Sequence, residues 1–126
     1  MADQSWAKHV ADVLRRSGIR LFATVPDYIV SHVLDELWAD PECRVITTAR
    51  EEEAVGLLSG AWLAGHRGAL LSAVTHILDA LAIRWIRPTS IAELEQQADG
   101  LVKLCYVSAQ PVAIVLPSEL TGGKKG

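Results

Sequence analysis

Three consecutive glutamates, Glu51, Glu52 and Glu53, stand at the head of a stretch that then runs to Ala64 without another charge. Burial beside like charges favours the protonated form of a carboxyl, and a protonated carboxyl can donate a hydrogen bond as well as exchange a proton. The same residues have a structural explanation. Thr48-Ala49-Arg50-Glu51 fits a capping box, and acids in a first helical turn are favoured by the helix dipole. A second polar group, Asp27 and Tyr28 in "VPDY", follows a short β-prone run, where an aspartate also suits the cap of a following helix. His9, His32, His66 and His76 are unclustered, with no nucleophile or ligand at diagnostic spacing, and read as structural or surface residues. Cys43 and Cys105 are isolated, with no CxxC spacing and no Cys/His cluster, so no metal site is expected and both read as reduced, partly buried thiols.

The elements that must position these groups follow from apolar periodicity. Trp6, Val10, Val13 and Leu14 predict a helix from about Gln4 to Ser17, stopped by Gly18. Ile19 to Val25 predicts a buried strand ended by Pro26, and Ile29, Val30, Val33, Leu34, Leu37 and Trp38 a helix closed by Asp40-Pro41. Cys43 to Thr48 is the next strand, followed by the glutamates and a small-residue helix through Ala64. Gly68 to Ser72 predicts a third strand. Ser90 with Glu93 makes a capping box for a helix from about Ile91 to Val107, and Pro111 to Pro117 reads as an interior parallel strand. Alternation of this kind predicts an α/β fold with a mostly parallel sheet and helices on both faces. The strand-to-helix loops then share one edge, which puts "VPDY" and "TAREEE" together. Trp6, Trp38, Trp62 and Trp85 fall on or beside apolar stripes and read as core or interface anchors.

The chain has 126 residues, 50% of them hydrophobic, and a net charge of −3. That length suits one domain with a real core, residues 1–120, with a flexible tail at 121–126. Scattered Lys and Arg give no footprint for nucleic acid or an anionic membrane, so neither partner is expected. No segment approaches the roughly 18–20 apolar residues of a membrane span, and the N-terminus lacks a signal peptide's apolar core. A cytoplasmic protein is expected.

The order "GIRLFATVPDYIVSHVLDEL", "RVITTAREEEAVGLLSGAWLAG" and "LDALAIRWIRPTSIAELEQQ…PVAIVLPSEL" resembles the pyrimidine-binding (PYR) domain of thiamine-diphosphate enzymes over nearly the whole chain. The likeness is closest to the α subunit of sulfopyruvate decarboxylase and to the matching half of phosphonopyruvate decarboxylase. The resemblance implies the thiamine-diphosphate-binding fold and a glutamate that hydrogen-bonds the cofactor's aminopyrimidine ring. Aligning Ala54, Val55, Gly60, Leu63 and Ala64 with the family pattern makes that residue Glu51, with Glu52 as the one-residue-shift alternative. A carboxyl donating to the ring nitrogen stabilises the imino tautomer through which the cofactor removes its own thiazolium proton. Asp27 and Tyr28 would bind substrate.

The resemblance also implies what lies elsewhere. The family holds the diphosphate through Mg2+ on a Gly-Asp-Gly motif with a downstream asparagine, and this chain has neither that motif nor any asparagine. A diphosphate-binding β subunit would then carry the metal, and paired copies of this chain would sit within a hetero-oligomer. After "GALLS" the family has a further βα unit, whereas here "AVTHILDALAIRWI" follows at once, as if an internal segment were absent between about Leu71 and Ala73. The activity implied is decarboxylation of a small anionic 2-oxo acid, sulfopyruvate to sulfoacetaldehyde plus CO2, or phosphonopyruvate as the alternative. A non-catalytic α/β binding or assembly module of the same fold is the rival, and a flavodoxin-like receiver domain ranks behind it.

Overall fold

The computed structural model describes residues 5–72, 78–79, 84–108 and 112–117. In chain order the elements are α1 (Ser5–Arg16), β1 (Leu21–Thr24), α2 (Tyr28–Trp38), β2 (Arg44–Thr47), α3 (Glu51–Leu63), β3 (Gly68–Ser72), β4 (Arg84–Ile86), α4 (Ile91–Ser108) and β5 (Val112–Val115). Leu78 and Asp79 lie in a helical turn between β3 and β4. The five strands form one sheet in the order β2-β1-β3-β5-β4, and every pair is parallel. This is the α/β class that the alternation of strands and helices predicts.

Successive residues of a strand face opposite sides of a sheet, and the two cores divide accordingly. Phe22, Ala69, Leu71, Val112 and Ile114 meet α1, α2 and α4 in one cluster. Ala23, Leu70, Ala113 and Val115 meet Ala54 and Leu58 of α3, together with Leu78, in the other. Helices therefore cover both faces. β3 and β5 are buried at every residue, as apolar runs in the middle of a parallel sheet require.

Each helix ends where its sequence stops it. α1 closes at Gly18, whose φ of 87° is a left-handed conformation that glycine adopts without strain. α3 closes in a Schellman turn: Gly65 has φ 89°, its N–H donates to Trp62 O at 3.0 Å, and His66 N–H donates to Ala61 O at 2.9 Å. The turn from α2 to β2 is organised by Asp40. One carboxylate oxygen accepts the Glu42 N–H at 2.9 Å, while the other pairs with Arg15 Nε at 3.2 Å and accepts from the Cys43 thiol at 3.6 Å. Burial first, and then the Asp40 charge, push the Cys43 thiol above its ordinary pKa. Cys43 is a free, half-buried thiol, as expected.

Three expectations need correction or placement. β4 is not anticipated by the apolar pattern, because it has three residues and lies at the edge with its first residue exposed. Trp38 is 52% exposed and so does not anchor the core of this chain. The junction where an internal segment was expected to be absent begins at Ser72, the last residue of β3, but Ala73, the tail at 121–126 and His76 lie outside the described residues, as does the Cys105 side chain.

The capping box at α4 forms in a shifted variant. Ser90 Oγ accepts the Glu93 N–H at 3.1 Å, while the Glu93 carboxylate reaches one residue further back, to Thr89 N–H and Thr89 Oγ1, both at 2.8 Å. The backbone and then the side-chain hydrogen bond from Thr89 hold the Glu93 carboxyl below its ordinary value of 4.5. A carboxyl depressed in the folded state adds stability in full above its unfolded value and loses it as pH falls through the folded one. The difference in melting temperature between wild type and Glu93→Ala is therefore expected to be constant above about pH 4.5 and to shrink on further acidification, which thermal melts across that range would show.

At Gly68 the two packing constraints of the fold coincide. A Cβ there would lie 2.5 Å from Leu58 Cδ2 and 3.1 Å from the Leu21 carbonyl oxygen, and Leu58 is itself fully buried. Gly68→Ala is expected to cost about 1–3 kcal/mol and to lower the melting temperature by several degrees. Gly100, mid-helix in α4 with nothing within 4 Å of its Cβ position, gives the opposite sign: Gly100→Ala is expected to stabilise by about 0.5–1 kcal/mol.

Candidate functional site at the carboxyl edge of the sheet

The ends of β1 and β2 bring the two polar groups to one edge. Thr24 lies opposite Thr47 in the register, and the chain continues from Thr24 to Asp27 and from Thr47 to Glu51. Thr24 is completely buried and joins three strands. Its hydroxyl donates to Leu71 O of β3 at 2.9 Å, and its carbonyl accepts the Thr48 N–H at 2.8 Å. The two junctions then part. α2 leaves toward one face of the sheet, and α3 packs over β1 and β3 on the other. The strand order β2-β1-β3 reverses beside β1, and the carboxyl ends at such a switch point are the usual ligand position in parallel sheets.

Glu51 is the first residue of α3 and stands at that edge. It is half-buried, while Glu52 and Glu53 are exposed. The capping box at Thr48 does not form. Arg50 occupies the cap position with φ −142° and ψ 153° and makes no side-chain capping bond, and the Thr48 hydroxyl instead donates to Arg50 O at 3.0 Å. Glu51 thus reaches back to no cap residue, and it has no hydrogen-bond or ion-pair partner among the described residues. The dipole explanation for three acids in this turn stands, since all three fall within it.

Asp27 immediately precedes α2, and its carbonyl accepts the Ser31 N–H at 2.9 Å, which makes it the cap residue of that helix. Tyr28 follows as the first helical residue and is 80% exposed, with its ring edge-on to His32 at 5.3 Å between centroids. His32 also meets the Trp6 ring at 6.0 Å, so this histidine is an aromatic packing partner. The structure thus brings Glu51, Asp27 and Tyr28 to one edge, on neighbouring junctions, and sets them at the starts of helices on opposite faces.

The small residues of α3 divide by face. Ala54 is buried against the sheet, as ordinary helix packing requires, whereas Gly56 and Gly60 have nothing within 4 Å of a Cβ position. Leu63, one turn on, is 81% exposed. Among the described residues no three His, Cys, Asp or Glu side chains converge as a metal site, and no helix is long and apolar enough to cross a membrane. The residue that sequence reasoning misses is Thr24, whose signal is a β-branched polar residue at the end of an apolar strand, two positions before Pro26. A cavity of about 600 Å³ opens at the opposite edge of the sheet, away from all of these groups.

No protein-family model matches the chain, and no curated protein matches it.

Thr24→Val replaces the buried hydroxyl with a methyl of similar shape, removing the donor to Leu71 O. A loss of about 1–2 kcal/mol is expected, together with faster amide exchange at Thr48 and Glu51, measurable by denaturant titration and hydrogen exchange.

Proposed function

We propose that this chain is the pyrimidine-binding subunit of a thiamine-diphosphate-dependent 2-oxo acid decarboxylase, with sulfopyruvate as the substrate and phosphonopyruvate as the alternative. The observation that carries the reading is the setting of Glu51: a half-buried carboxyl at the carboxyl edge of a parallel sheet, opening a helix whose cap it does not serve. The helix dipole accounts for an acid in this turn, and it leaves the Glu51 carboxyl without a protein partner among the described residues and available to a ligand.

The pyrimidine end of the cofactor fits the residues present. Glu51 would donate to the ring nitrogen, with Glu52, exposed one position on, as the alternative. When bound, thiamine diphosphate supplies a thiazolium carbon acidic enough to act as a nucleophile toward the 2-oxo group. Asp27 and Tyr28, on the junction after β1, would help position substrate or intermediate at the edge they share with Glu51. The net change is loss of the carboxylate as CO2, with a proton taking its place on the remaining carbon. Mg2+ and the diphosphate would belong to a β subunit, and the smooth outer surface of α3, open above Gly56 and Gly60, suits close approach of another backbone in such an assembly.

The test is release of CO2 from sulfopyruvate by the chain co-purified with its natural partner, supplied with thiamine diphosphate and Mg2+. Glu51→Gln is expected to lower kcat by about 10²–10⁴-fold, and Glu52→Gln to leave it within a few-fold. Activity that survives Glu51→Gln but falls with Glu52→Gln would move the role by one residue. A folded complex inactive on both sulfopyruvate and phosphonopyruvate would leave the non-catalytic assembly module as the better reading.

A further inference from the structure

The amino edge of the sheet gathers three of the arginines that look scattered along the sequence. Arg20 follows the Gly18 turn, Arg44 opens edge strand β2, and Arg67 follows the Gly65 turn, and all three line the 600 Å³ cavity between the starts of β1 and β2 and the end of α3. Its apolar wall is made by Leu21, Ile46, Leu57 and Ala61, and His66 stands at the rim. A single acid, Glu42, faces them, 4.0 Å from Arg20 Nε with its side chain 79% exposed.

The three guanidinium groups are held differently. Arg20 Nη1 donates to Arg15 O at 2.6 Å and to Ile19 O at 3.0 Å, so the end of α1 fixes it. Arg67 stacks over the Trp62 ring at 4.9 Å, and its Nη1 lies 3.5 Å from Trp62 O and 3.4 Å from His66 O. Arg44 is exposed, with no side-chain partner among the described residues. The negative end of α3 points here too, but its last carbonyls already accept from the Gly65 and His66 amides and from Arg67. The cavity's field is therefore set by permanently charged guanidinium groups, two anchored and one ungripped.

Small-molecule sites are concave, have volumes of roughly 300–1,000 Å³, and combine apolar walls with a few convergent polar groups. We infer that this groove binds a small organic anion: an apolar body against Leu21, Ile46, Leu57 and Ala61, with a carboxylate, sulfonate or phosphate head gripped by Arg44 in the field of Arg20 and Arg67. The inference is independent of the function proposed for the opposite edge. An acidic segment of another protein would need the same charges but not an apolar-walled cavity, so the small ligand is the occupant the geometry favours.

The probe is 8-anilinonaphthalene-1-sulfonate, titrated into the full chain and followed by fluorescence and by amide NMR shifts, with uncharged N-phenyl-1-naphthylamine as its counterpart. Saturable one-to-one binding with shifts at Leu57, Ala61 and His66 is expected, at least about tenfold tighter than the neutral probe and weakened at least about tenfold by Arg44→Gln. Ala61→Leu, which fills the apolar wall, is expected to weaken the sulfonate as well. Arg44 is exposed, so its variant should keep the wild-type melting temperature, and the melt verifies that the fold is intact. Absence of saturable binding, equal affinity for the neutral probe, indifference to Arg44→Gln or shifts confined to Asp27 and Glu51 would each overturn the inference. So would a groove that ignores both probes but shows the same amide shifts with an acidic peptide, which would make it a protein-docking surface.

Discussion

Thr24 is the point on which the carboxyl edge depends. β1 is flanked by β2 and β3, and a buried threonine at its last position gives one bond to each: its carbonyl takes the first amide beyond β2 and its hydroxyl reaches a carbonyl of β3. Parallel ladders leave the chain free to diverge once the strands stop, and here the Thr24 side chain adds a bond to β3 at the last register position of β1. The position of α3, and with it Glu51, follows from the Thr48 amide being held only three residues before the helix begins. Without that constraint the three acids would still start a helix, but nothing would fix where the helix starts relative to the Asp27 junction.

Part of the charge at the two edges of the sheet follows the helix ends. In a parallel α/β sheet every crossover helix begins at the carboxyl edge and ends at the amino edge, so the helix dipoles are aligned. Acids gather where helices begin, at Glu51 to Glu53 and at Glu93, and bases where they end, at Arg15 and Arg16 and just past α3 at His66 and Arg67. Each such placement is worth about 0.3–1 kcal/mol.

Most of the scaffold is legible in the sequence, since long apolar periods and glycine stops are local signals. β3 is read to the residue, and α1, β1, β2, α3, α4 and β5 are read to within two or three residues at each end. β4 is not, because a three-residue edge strand has too few residues to show a period and is specified by its neighbour β5 rather than by itself. The carboxyl edge is half legible. The loops that reach it follow from strand ends, but the capping box read at Thr48 is a local pattern that the β1–β2 ladder overrides, drawing the Thr48 amide to Thr24 and leaving Arg50 at the cap. The groove at the amino edge is invisible in one dimension, because Arg20, Arg44 and Arg67 stand more than twenty residues apart and meet only through strand register and a helix end.

The place of β5 has a consequence for how the chain acquires its fold. Among the described residues it is the last strand in sequence yet lies between β3 and β4, and β4 pairs with nothing else. During synthesis β4 therefore emerges well before its partner, and β3 presents one open ladder until residues 112–115 arrive to fill the slot. A chain extended from the ribosome can assemble β2, β1 and β3 early, but the sheet closes only by insertion of its final strand. That ordering leaves an apolar gap beside the central strand β3 for the longest time, where a misplaced strand from another nascent chain could pair.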